Sequence, residues 1–348
     1  MMRIRFNSNQ PVTTNFHGLR WLLLTLIYWQ HSALANDIQL EWPLDCSIGQ
    51  DCWIVNHVDT NPAPKQAKDY TCGNLTYDAH KGTDIALQDS IAMANGVDVL
   101  APMNGTVLHI RNNESDHTSG KIDLAAIRAS GKECGNGLIL DHGNGWQSKY
   151  CHMKQGSLVV KPGDRVTTGQ KLGKVGLSGL TQFPHLHIGI EHNGKVIDPF
   201  TGLSHQEGCN KMQTPLWAKE LALGYTPASL YAAGFSAQVP NYSAVVEDTS
   251  SPSELPVSSP VLTFWLLMFG AEKGDQISIE IRDPKGNLFS QNTISQAKKK
   301  IRLFNFIGKR NTTAPLQQGT YTGTVTLKRQ LTNGEIITRE ITRTVAVK

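Results

Sequence analysis

From about residue 76 to residue 200 the apolar residues come in short runs of four to seven, and Gly, Pro or Asn closes most of them. Val97–Leu100, Gly105–Ile110, Gly137–Asp141, Ser148–Met153, Ser157–Val160, Lys171–Val175 and His185–Glu191 all follow this pattern. Runs so short suit strands bounded by turns better than buried helices, so this stretch is read as β-dominated. Asn144-Gly145 is the strongest hairpin signal in the chain. Lys161-Pro162-Gly163-Asp164 is a turn by composition.

The same pattern returns near the C-terminus. Val261–Met268, Gln276–Arg282, Lys299–Phe306, Thr320–Arg329 and Glu335–Val347 read as strands, with turns at 283–287 and 332–334. Strands at this spacing predict a small immunoglobulin-like β-sandwich over residues 261–348. The stripe Phe264–Phe269 is read as its core, with a partner-binding edge as the second reading. The remaining stretches are less regular. Residues 36–75 are loop-rich, with Asn61-Pro62-Ala63-Pro64 as an irregular marker. Pro227 and Gly234 bracket a short run that fits a helix, so 206–238 is expected to be a short helical extension. Residues 239–260 hold four Pro and seven Ser or Thr and are expected to be a linker. The fold class is thus all-β dominated: a Gly-rich antiparallel domain over 76–205, then the sandwich.

Residues 1–35 read as a cleavable export signal. Arg20 precedes the apolar run Trp21–Trp29, and Ala33-Leu34-Ala35 supplies the small residues at which a peptidase cuts. The run is too short to span a bilayer, and no segment reaches the roughly 18 apolar residues a span needs. The expected compartment is therefore periplasmic or extracellular. All six cysteines lie after residue 35, none in a CxxC pair. An even count in an exported chain reads as disulfides. Cys134 with Cys151 and Cys46 with Cys52 are candidate pairs, which would leave Cys72 with Cys209, but six cysteines allow 15 pairings and sequence does not choose. The net charge of +4 includes three arginines in the first 35 residues. So near-neutral a remainder argues against a nucleic-acid binder that works by phosphate neutralisation.

The chemistry concentrates in histidines. His80-Lys81-Gly82-Thr83-Asp84 is an HxxxD pair, and Pro184-His185-Leu186-His187 an HxH pair on a predicted strand. Residues i and i+2 of a strand share a face, so two imidazoles can approach one ion. Two histidine nitrogens and one carboxylate oxygen suit Zn²⁺, and three protein ligands leave a fourth position for solvent. A further histidine, His152, follows Cys151. His142 is read as a turn or rim residue. His57, His109, His117, His192 and His205 are read as solvated, and Trp146 and Tyr150 as hairpin packing.

These motifs resemble those of the lysostaphin/LytM-type zinc metallopeptidases, which cleave peptides of bacterial peptidoglycan. The resemblance runs from Tyr77-Asp78-Ala79-His80-Lys81-Gly82-Thr83-Asp84 to Ile197-Asp198-Pro199-Phe200, through Val99–Val107, Asp141–Gly145, Lys161–Val166, Gly176–Gly179 and Pro184–His187. It implies His80, Asp84 and His187 as Zn²⁺ ligands and His152 and His185 as catalytic histidines. It also implies peptidoglycan peptides as substrate. The competing reading is a catalytically silent cell-wall binding or hydrolase-activating module of the same fold. A biotinyl or lipoyl carrier is a third reading, and the absence of Lys at the Asn144-Gly145 tip disfavours it. The sandwich is expected to position the enzyme, dock a protein partner or cover the groove.

Overall fold

The computed structural model describes residues 38–117, 123–311, 315–331 and 334–348. The segment read as an export signal and residues 332–333 of the last predicted turn lie outside them. Among the described residues no helix is long and apolar enough to cross a membrane.

The site-bearing part is an antiparallel sheet. Its strands run in the order Cys52–Asn56, Thr83–Leu87, His185–His192, Trp146–Met153, Asn136–Gly143, Gly105–Arg111 and Arg165–Val166. Lys195–Asp198 joins alongside His185–His192 and carries Leu203–Ser204. Hydrophobic residues from most of these strands meet in one core, where Ile85, Leu140, Tyr150, Leu186 and Ile188 are fully buried. Asn144 and Gly145 take φ of 50° and 79°, the left-handed pair that lets a two-residue turn follow the strand twist. Asn193-Gly194 makes a second turn of the same kind, with φ of 50° and 74°. The cysteines pair as Cys46–Cys52, Cys72–Cys209 and Cys134–Cys151.

Two further sheets follow. One has Ser229–Ser236, Val261–Ala271 and Lys300–Arg310; the other has Glu254–Leu255, Ile336–Val347, Gly319–Gln330, Gln276–Arg282 and Leu288–Ser295. Their facing side chains, among them Phe264, Leu266, Met268, Ile277, Ile279 and Val325, form one buried cluster. Val261–Ala271 is buried along its whole length. Alternation of side chains across a strand explains how. Phe264, Leu266 and Met268 point into the two-sheet core. Trp265, Leu267 and Phe269 join a separate cluster with Trp53, Ala86 and Phe183 of the first part. The apolar stripe therefore serves as core on one face and as an internal seam on the other.

Four local readings are corrected. Ser229–Ser236 is a strand, not a helix, because it pairs along the long strand from Ser229↔Phe269 to Ser236↔Thr263; tertiary pairing overrides the weak Pro-to-Gly helix signal. Residues 239–260 are not a free linker. Val245 and Val246 of the helix Tyr242–Glu247 are buried in the seam, and Thr249 donates through its backbone and hydroxyl to Asp89. The loop-rich stretch 36–75 contributes a strand, Cys52–Asn56, to the sheet. Ser157–Val160 forms no strand.

Phe269 is 2% exposed and stacks on Tyr231 at 4.2 Å. Truncating a buried aromatic removes its packing and leaves a cavity. Phe269→Ala is expected to cost about 3–5 kcal/mol in chemical denaturation, and to lower the unfolding of both parts together because the seam belongs to both. Two transitions, with only one of them shifted, would show that the seam does not couple them.

Candidate metal centre

Strand register creates the site. Thr83–Leu87 pairs with His185–His192 so that Asp84 stands opposite His187 and Ala86 opposite His185. Residues directly opposed on an antiparallel pair hold their Cβ atoms about 5 Å apart. The HxH spacing then keeps His185 on the face of His187. Strand Trp146–Met153 flanks the other side, with Cys151 opposite His187.

His80 reaches in from the loop before Thr83. Its Nδ1–H donates to the backbone oxygen of His57 at 2.7 Å, which leaves Nε2 as a lone pair in the neutral ring. That Nε2 lies 3.0 Å from Asp84 Oδ1 and 3.1 Å from His187 Nδ1, and the last two atoms are 2.8 Å apart. Asp84 Oδ1 accepts and each ring nitrogen can accept in one tautomer, so the three atoms can share a proton or enclose a cation. Two imidazole nitrogens and a carboxylate oxygen are the donor set of a borderline divalent ion, and the three converge as a metal-binding group. Cys46, Asp51 and Cys52 also lie close together, but both sulfurs are consumed by a disulfide. Gly82 is required by space. A Cβ there would stand 2.6 Å from His187 Nε2 and 2.6 Å from the Ile188 carbonyl oxygen.

His152 and His185 stand beside this triad. Their ring centroids are 4.6 Å apart, and that of His152 is 6.1 Å from His187. The Nδ1 of His152 sits 2.9 Å from the Ser178 carbonyl oxygen, and the Nδ1 of His185 sits 2.9 Å from that of Phe183. Carbonyls accept only, so each Nδ1 carries its proton and each Nε2 is free to accept one. The His185 Nε2 lies 3.6 Å from Asp84 Oδ1. His152 adopts φ of 63°, an uncommon conformation for a side-chain-bearing residue. It is held by hydrogen bonds from its N–H to Cys134 O and from Gly176 N–H to its own carbonyl.

Burial sets the electrostatics. It pushes the His152 ring well below the ordinary histidine value, helped by the neighbouring His185 and His187. Burial also lowers His187, against the opposing pull of Asp84. Asp84 is itself buried, which alone would raise it. The charges of His80 and His185 and hydrogen bonds from His187 and His80 prevail and hold the carboxyl well below the usual range. Near neutrality the aspartate is charged and His152 and His187 are neutral, the states in which they coordinate or accept a proton.

All five site residues read from the sequence meet here. The sequence did not single out Asn56, whose Nδ2–H donates to Asp84 Oδ2 at 2.9 Å and so turns Oδ1 toward the histidines. His57, read as solvated, is 2% exposed among Tyr70, Phe200 and Tyr225, and burial drives its pKa down to about 4. Its carbonyl fixes His80. No local motif marks either residue; only the pairing of Asn56 with Asp84 reveals them. His142, read as a turn or rim residue, lies in strand Asn136–Gly143 and is spanned between Asn104 O and Ser148 Oγ at 2.7 Å each. Trp146 stacks on His192 at 4.2 Å.

A cavity of about 230 Å³ opens onto Asp84, His152 and His185, walled in part by Tyr77, Phe183, Arg128 and Ile301. A larger one, about 420 Å³, lies among Trp53, Leu221, Ala228 and Arg339, and touches none of the five site residues. Ligand chemistry rather than size locates the site.

Residues 78–199 match the model of Peptidase family M23, in agreement with the lysostaphin/LytM resemblance. Over 122 residues the chain is 30% identical to a Haemophilus influenzae protein named an uncharacterized metalloprotease, covering 35% of this chain and 20% of that protein. Over 99 residues it is 29% identical to the peptidoglycan DD-endopeptidase ShyA of Vibrio cholerae, covering 28% of this chain and 22% of ShyA. A shorter match, 37% over 67 residues, links it to ShyC of the same organism, covering 19% of this chain and 15% of ShyC. The chain thus spans about a fifth of the length of the first two relatives. Asn56 and His57 lie outside the family match.

Gly82→Ala is expected to displace His187 and to lower bound metal at least tenfold by elemental analysis, with the fold intact by circular dichroism. Full metal content in that variant would show that the close approach is not needed.

Proposed function

We propose that the chain is an exported zinc metalloendopeptidase that hydrolyses peptide bonds in peptidoglycan stem peptides or cross-links. The observation that carries this reading is the convergence of His80 Nε2, Asp84 Oδ1 and His187 Nδ1 within 3.1 Å, with His152 and His185 anchored through Nδ1 at its side. The named endopeptidase relatives support the substrate class. Three disulfides support an oxidising, extracytoplasmic setting.

Zn²⁺ held by these three side chains would polarise the scissile carbonyl and bring an attacking water toward neutral pKa. The chain's own groups do the rest. Asp84 is kept ionised by its histidine neighbours and aimed by Asn56. His152 and His185 each present a free Nε2 toward the cleft, with the Nδ1 proton tied to a backbone carbonyl. Each can accept a proton from the attacking water and return it to the leaving amine, or donate to the developing oxyanion once protonated. The roll of Tyr77, Phe183 and Ile301 along the wall narrows access by water and gives an extended peptide an apolar edge.

The second reading, a silent binding or activating module, is favoured by no residue of the site, since none of the five is substituted. Incubating the protein with purified sacculi, with and without chelator, separates the two: release of soluble muropeptides that chelator abolishes and zinc restores is expected, and no release would favour the silent module. His187→Ala is expected to lose both metal and turnover. His152→Ala is expected to retain metal and to lose at least about a hundredfold in rate, the usual contribution of a positioned acid–base group. Ligand imidazoles bind metal only when neutral, so occupancy falls as pH drops through their range. Metal that stays bound well below about pH 5 would contradict histidine ligation.

A further inference from the structure

The stretch 123–135, which leads into strand Asn136–Gly143, reaches the cleft through Arg128. Its short helix Leu124–Ala129 is capped by Asp123, whose carboxylate accepts from the N–H groups of Ala125 and Ala126. The segment's end is fastened at several points beside the histidines. Cys134 is bridged to Cys151, its carbonyl accepts from His152 N–H at 2.8 Å, and the Glu133 carbonyl accepts from Leu180 N–H at 2.8 Å. Lys132 pairs with Glu114 at 2.8 Å. The disulfide therefore fixes one end of the helix-bearing arm to the strand that carries His152.

Histidines aside, the cleft wall carries two charged residues, Asp84 and Arg128. Asp84 is engaged by the histidines and by Asn56. Arg128 is exposed, and its guanidinium has no hydrogen-bond or ion-pair partner among the described residues. The other nearby guanidinium is committed elsewhere: Arg302 stacks over Phe183 at 5.4 Å and donates to Tyr242 Oη. A free guanidinium, in a cleft where Asp84 is the only carboxylate among the described lining residues and is already bound, presents an unused two-pronged donor for a carboxylate.

We propose that Arg128, held on the cleft wall by the arm that the Cys134–Cys151 bridge anchors, is a specificity-determining residue that takes a free carboxylate of the substrate peptide. This rests on the peptide-substrate reading above. Peptidoglycan stem peptides bear such carboxylates, and amidation removes the charge while keeping the shape. The enzyme would accordingly favour acidic stems over amidated ones.

Binding is the direct test, because it does not depend on turnover. Equilibrium affinity is measured for a stem tetrapeptide and for its fully amidated form, with intact zinc-loaded protein, Arg128→Gln and Arg128→Lys. The proposal expects the native protein to prefer the acid about tenfold, the order of one charge-assisted contact at an exposed site. It expects Arg128→Gln to abolish that preference by weakening the acid alone, and Arg128→Lys, which keeps the charge but loses the fork, to restore part of it. Equal affinities for acid and amide in the native protein would overturn the proposal. So would a loss in Arg128→Gln that is the same for both peptides, or no binding of the acid. If the acid binds with this dependence on Arg128 but sacculi are not hydrolysed, the hydrolase reading fails and the carboxylate site stands.

Discussion

The pairing of Asp84 with His187 across two antiparallel strands is the contact on which the site depends. A shift of one residue in that register would turn His187 to the opposite face of the sheet and break the triad. The flanking structure guards against the slip. Ile85, Leu186 and Ile188 project into the buried core from the same two strands, so a slip would drive them toward solvent. Asn56 ties down the far oxygen of Asp84 from the third strand. Asp84 and His187 thus inherit their positions from the hydrophobic pattern of the sheet, and Gly82 leaves out a side chain that would press on His187.

The two-sheet C-terminal part belongs to the same packing scheme. Its longest strand sends alternate residues into two different clusters, one internal and one shared with Trp53, Ala86 and Phe183. Phe183 lies two residues before His185 and its carbonyl anchors that imidazole. The seam therefore sits two residues from His185, and Ile301 of the C-terminal part stands on the cleft wall itself.

Much of this was legible in the sequence because it is local. The HxxxD and HxH spacings, the Asn-Gly turn and the short Gly-bounded strands each state their geometry within a few residues. The histidine after Cys151 drew its meaning from the family resemblance rather than from spacing. Asn56 and His57 were not legible: they act from a loop-rich stretch, and their roles exist only once the first strand has paired with Thr83–Leu87. Ser229–Ser236 was misread for the same reason. Its Pro and Gly punctuation is a weak local preference, and the long apolar strand beside it decides the outcome. The stripe Phe264–Phe269 was recognised as buried, but that each face has a different partner is a property of the assembled fold.

Two imidazoles and one carboxylate around a single cation would give that ion a distinctive coordination sphere. X-ray absorption at the zinc edge of the zinc-loaded protein tests it most directly. The expected signal is light-atom scatterers only, at about 2.0–2.2 Å, with the multiple-scattering signature of two imidazoles. A sulfur shell near 2.3 Å, or an all-oxygen sphere without imidazole, would contradict it.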